Sequence, residues 1–250
     1  MHASFYRYDF TPLSIPRSSA RVRGYYRQKT DCSGLHISSA RIAVVLLRYA
    51  SQHYSISSDR MCVSDTAAWN TISRHIDRMS VERPFIRKEG KEESLRLLRL
   101  LKRIRNLIPL DQVIWASVNQ GQITPWNRYY EETRLYFQDW ELARNGVPVF
   151  FDVYHHVFCQ CILQDKNDFK SVLIQLEGLE SQTIFRNLRQ RFKVDTALHF
   201  NLYILFSAAC FLRKDFHDRD KSPQHRRLLK AWISACDEIL ARTGKQQDHG

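Results

Sequence analysis

Apolar and polar positions along the chain separate a patternless opening from a long run of helical periods. Residues 1 to 34 show neither a 3.6-residue nor a 2-residue repeat, so no regular element is predicted there. From Ser38 the spacing turns helical. Ile42, Val45, Leu46 and Tyr49 line one face behind the capping candidates Ser38 and Ser39, which predicts a helix to about His53. Ser57 or Ser58 can cap a second, brief helix around Met61 and Cys62. In SDTAAWNTISRHIDRM, Ser64 to Met79, the residues Trp69, Ile72, Ile76 and Met79 share a face while Thr71, Arg74 and Arg78 turn away from it. Ser64, Asp65 or Thr66 can cap this third helix. In VERPFIRKEGKEES, Pro84 then stops the helix, PFIRK is strand-like and EGK offers a turn, so a hairpin is expected.

The remainder reads as helical throughout. SLRLLRLLKRIRNLI is amphipathic and basic. TPWNRYYEETRLYFQDWELARNG carries Pro125 in a first-turn position and Gly146 as a closing cap. Helical periods continue through VPVFFDVYHHVFCQCILQD, DFKSVLIQLEGLESQTIFRNLRQRFK, the apolar 197–212 segment and a last helix closed by Gly244. The 197–212 segment is short for a bilayer span and holds His199 and Asn201, which favours a buried core helix.

Composition adds an anionic partner to this picture. The 250 residues have 38 Lys and Arg against 26 Asp and Glu, a formal charge of +12. The excess is uneven: residues 81 to 108 hold nine Arg or Lys against four Glu, whereas 109 to 146 hold three Arg against five Asp or Glu. MHASFYRYDF has no apolar stretch of secretory length, so an intracellular location is expected, with the six cysteines reduced and packed.

The stretch MCVSDTAAWNTISRHIDRMSVERPFIRK resembles the winged helix-turn-helix of bacterial regulators such as the multiple-antibiotic-resistance repressor family. Ala67 and Ala68 stand in the turn, Asn70, Thr71 and Ser73 open the recognition helix, and Phe85, Ile86 and Arg87 begin the wing. Asp65 and Thr66 depart from that pattern, standing where an apolar residue and a glycine are usual. Short polar side chains at a helix start can meet base edges and Arg74 a guanine or a phosphate, with Asn70, Thr71 and Ser73 beside it. Arg78 and the wing cations Arg87, Lys88 and Lys91 would hold phosphate, giving salt-sensitive affinity rather than sequence choice.

A winged head before helices also resembles the fatty-acid-regulator branch of the GntR family, whose helical effector domains hold a metal or a small carboxylate. FFDVYHHVF sets Asp152 and His156 four residues apart, and QHRRLLKAWISACDEILA resembles the closing helix, with His225 at its start. The resemblance implies Asp152, His156 and His225 as ligands of a divalent metal; hydrogen bonding within the core is the other reading of these residues. His155, Cys159 and Cys161 lack zinc-knuckle spacing, His217-Asp218 sits in a polar loop, and no phosphate-binding glycine loop or nucleophile elbow occurs, so no enzyme is expected.

The expected fold is mainly α: a basic arm at 1–34, a winged helix-turn-helix with a small β-hairpin at 35–93, a linker helix at 94–108 and an all-helical bundle at 109–250. The expected function is a sequence-specific transcriptional regulator, a homodimer on double-stranded DNA with room for a small-molecule effector. Two alternatives share these residues: a helical adaptor of a secretion, conjugation or phage system that binds an acidic protein, and a plasmid or phage replication initiator.

Overall fold

The apolar stripes collect on one another around a central helix. The computed structural model describes residues 46–48, 50, 54, 58–82, 91–121, 123–125, 128–131, 134–137, 143–215 and 222–247. Leu46, Leu47, Arg48, Ala50 and Tyr54 are helical. Strand β1, Asp59–Cys62, then leads through a 3-10 turn, Val63–Asp65, into helix α1, Ala67–Glu82, and α2 spans Lys91–Arg105. Strands β2 (Val113–Asn119), β3 (Arg128–Glu131), β4 (Arg134–Phe137) and β5 (Arg144–Pro148) follow. Helix α3, Phe151–Cys159, runs on as a π turn, Gln160–Gln164, before α4 (Phe169–Glu180), α5 (Thr183–Arg191), α6 (Thr196–Asp215) and α7 (Pro223–Gln247). The protein is mainly helical, with a three-stranded antiparallel sheet in the order β1-β2-β5 and a separate β3-β4 hairpin.

Helix α6 is the centre because it is apolar nearly all round, as buried helices are. It packs against α1, α2, α3 and α7. Leu202, Ile204, Leu205, Ala208, Ala209 and Leu212 are fully buried, as the reading of 197–212 as a core helix expects. Its composition and length would equally suit a bilayer span. One buried apolar cluster runs from Leu46 to Ile239, so the packing is continuous across residue 108, where the sequence suggests a division.

Two expected helices are strands. Met61 and Cys62, the centre of the expected short second helix, lie in β1 and pair with Ile114 and Val113. The segment 125–146 forms β3, β4 and the start of β5 in place of one helix. The cause is the same in both: VIWASVN and RYYE are rich in β-branched and aromatic residues, and cross-strand partners distant in sequence override weak local helical preference. Gly146 therefore caps no helix. It sits in β5 at φ +70, where its missing side chain lets Ala67 approach: a Cβ there would lie 3.3 Å from the Ala67 nitrogen. The helix-turn-helix order consequently lacks a helix before α1 among residues 58–66, which are strand and 3-10 turn. The expected wing falls largely on 83–90, outside the described residues, and Lys91, placed by sequence in the returning turn, opens α2.

Candidate nucleic-acid interface

Helix α1 starts where its sequence expects. The Thr66 hydroxyl accepts the Trp69 N–H at 3.0 Å and donates to the Val63 carbonyl at 2.8 Å, so Thr66, of the three candidates, is the cap. Trp69, Ile72, Ile76 and Met79 are buried, each contributing roughly 1.5–3 kcal/mol of apolar transfer. That anchorage turns Asn70, Arg74, Asp77, Arg78 and Val81 outward along one continuous stripe.

Thr71 departs from its expected place. It is buried at the edge of the apolar face, where α1 meets β5 and α6, and its Oγ1 lies 3.4 Å from Nη1 of Arg144. The helix is packed on three sides, so the buried arc is wider than the apolar stripe alone suggests. Thr71 is thus turned away from the outer face on which a base would be read, whereas Asn70 and Arg74 are exposed and Ser73 half-buried beside them. Arg87 and Lys88 lie outside the described residues.

Two cations that the sequence pattern did not single out stand at the edge of this stripe, where α1 meets β5 and α6. Arg144 of β5 lies over the Phe206 ring at 5.7 Å, and Arg213, near the end of α6, pairs with Glu82. His75 stands among them: burial first, and then the charges of Arg74, Arg213, Arg144 and Arg78, hold its imidazole below the usual histidine range. Guanidinium groups from α1, β5 and α6 therefore share one region. The acid on the stripe, Asp77, is taken by Arg105 at 2.7 Å, while Arg74 and Arg78 form no ion pair among the described residues. What remains is a positive, solvent-facing helix of arginines, the group best suited to bidentate phosphate contacts.

The expected metal ligands serve other partners. The Asp152 carboxylate accepts the backbone N–H groups of Gln120 at 3.0 Å and Gly121 at 3.1 Å, besides the Asn119 side chain. Burial nonetheless raises its pKa to about 6, because those donors only partly offset the loss of water. His156 is buried one turn further along α3. His225 Nε2 lies 2.8 Å from Asp215 Oδ1, and the Ser94 hydroxyl donates to Asp215 Oδ2 at 2.9 Å, tying α7, α6 and α2 together. Asp152, His156 and His225 are thus not brought into one ligand set, and no three His, Cys, Asp or Glu side chains converge for a metal among the described residues.

The His155 and Cys159 pair is likewise structural. His155 Nε2 is 3.5 Å from Cys159 Sγ and Nδ1 is 3.4 Å from the Tyr203 hydroxyl. Burial pushes the imidazole down to about 4 and the thiol up to about 12, which favours the neutral form of both groups.

No family model, curated protein or solved structure matches this chain. The candidate interface accordingly stands on its own residues. Sequence periodicity points to Arg74 and Arg78; Arg144 and Arg213 join them only through the packing of β5 and α6 on α1, for which no local signal exists.

Proposed function

We propose that this chain binds double-stranded DNA along the outer face of α1, with phosphate contacts supplying most of the affinity. The observation that carries the reading is the exposure of Arg74 and Arg78, without an ion pair among the described residues, on a helix whose opposite face is locked into the core, with Arg144 of β5 and Arg213 of α6 at its edge near His75. An anchored helix with exposed arginines can lie against a groove without reorganising, and each guanidinium that meets a phosphate releases counterions. Sequence choice in a regulatory role would rest on Asn70 and Ser73, with Arg74 between phosphate and guanine, because Thr71 faces the protein.

The test is anisotropy of a labelled duplex with wild type and with Arg74→Ala combined with Arg78→Ala. A weakening of about tenfold or more, with an unchanged thermal midpoint, is expected from the loss of two charge-assisted contacts. Equal binding by the variant would overturn the proposal.

A second reading is favoured by the burial of Thr71 and by the strand standing before α1: an adaptor whose arginine face takes an acidic protein surface. It predicts that polyglutamate competes with the duplex at equal charge concentration. On the DNA reading polyglutamate competes poorly.

A further inference from the structure

A second basic surface lies at the carboxyl end of α5, apart from the α1 stripe. Arg186, Arg189 and Lys193 line a shallow groove of about 470 Å³ with Gln190 and Val194, and Arg191 lies 5.4 Å over the Phe192 ring beside it. All four cations are exposed, and none forms an ion pair among the described residues. The nearby Asp195 is engaged elsewhere, accepting the Leu198 N–H at 3.0 Å to cap α6. The surface reaches the sheet. Phe192 meets Trp115 edge-on at 5.3 Å, and Trp115 pairs with the exposed Arg60 of β1, which therefore shares that sheet face.

The backbone adds an independent observation. Helix α5 closes in a Schellman arrangement: Val194 N–H donates to the Arg189 carbonyl at 2.9 Å and Lys193 N–H to that of Gln190 at 3.2 Å. The residue after the cap must then be left-handed, and Lys193 adopts φ +45. Glycine is the usual occupant because a Cβ is strained there. A lysine in that position carries a conformational cost and places a cation at the mouth of the groove. The helix dipole favours Arg189, Arg191 and Lys193 at this end of α5, but Arg186, a turn earlier, lies beyond its reach, and the dipole alone leaves all four cations without an ion-pair partner among the described residues.

We infer that the Arg186–Lys193 surface is a second phosphate-binding site, which takes the backbone of the duplex proposed for α1 or of a second one. The class of ligand rests on that DNA reading; the site itself rests on the groove and the strained lysine. Arginine supplies three of the four cations, and its planar fork matches phosphate oxygens. The contact carries no sequence information and should act through charge alone.

The experiment uses the full chain and a labelled duplex of about 20 base pairs across a salt series. Wild type is compared with Lys193→Gly, with Arg189→Ala plus Lys193→Gly, and with Arg74→Ala plus Arg78→Ala. The inference expects Lys193→Gly to keep or raise the thermal midpoint while weakening binding, and the α5 double variant to lower the salt slope by about 2. Unchanged affinity and slope in both α5 variants would overturn it, whatever the α1 variant does. So would a fallen midpoint with unchanged binding, which would reduce Lys193 to a helix-end cation. Should the α1 variant bind normally while the α5 variants weaken, the α1 proposal fails and this site stands. Binding of polyglutamate without binding of the duplex overturns the phosphate assignment for both surfaces.

Discussion

Asp152 shows how one side chain can be chosen for its position rather than for its chemistry. It accepts two backbone N–H groups at the turn after β2, where Gly121 sits at φ +87, and so fastens α3 to the sheet. Asp152→Asn keeps one acceptor and turns an amide donor toward a buried N–H. The expected cost is about 1–3 kcal/mol, measured by urea denaturation. The pH dependence has a definite sign. With its folded pKa raised to about 6 from 3.8, the native state holds the Asp152 proton longer than the unfolded chain does. Stability from this group is complete below about pH 4 and is lost as pH rises through 6, a change of roughly 3 kcal/mol. His155, lowered to about 4 by burial, acts in the opposite direction between pH 4 and 6.5, favouring the fold as pH rises. Comparing wild type with Asp152→Asn between pH 4 and 7 isolates the carboxylate: the variant should lose less stability than wild type over that range. Parallel profiles would contradict the assignment.

Between elements, close approach of β5 to α1 shapes the proposed interface, because it brings Arg144 beside Thr71. Gly146→Ala should cost more than about 1 kcal/mol, since alanine is strained at φ +70 and its Cβ would meet the Ala67 nitrogen at 3.3 Å. Its thermal midpoint checks this, and an unchanged value would mean that α1 and β5 move apart freely. The same pair of elements marks how much was legible in sequence. The buried face of α1, its Thr66 cap, the outward Arg74 and Arg78, and the core character of α6 follow from period and capping chemistry. Strand β1 does not, because Asp59–Cys62 has no alternation of its own and becomes a strand only by pairing with β2 more than fifty residues away. Arg128–Phe137 misleads for a related reason: its apolar residues fit a helical stripe, but tyrosines and phenylalanine paired across a hairpin fit a sheet as well. The polarity of Thr71 points it outward, whereas packing of β5 and α6 decides its burial.

For the molecule as a whole, the sequence carries a formal charge of +12, and several acids among the described residues are spent internally, Asp152 on backbone, Asp215 on Ser94 and His225, and Asp195 on the α6 cap. Such a distribution suits a partner that is itself a dense line of negative charge, because the affinity then scales with the number of contacts made. The α1 stripe alone offers Arg74 and Arg78, with Arg144 beside them, and the α5 surface offers Arg186, Arg189, Arg191 and Lys193. The most direct measurement is the salt dependence of wild-type binding to duplex DNA. Three or more phosphate contacts predict that log K falls linearly with log salt at a slope of about −3 or steeper. A slope near zero, or no binding at low salt, would contradict the assignment of these arginine surfaces to DNA.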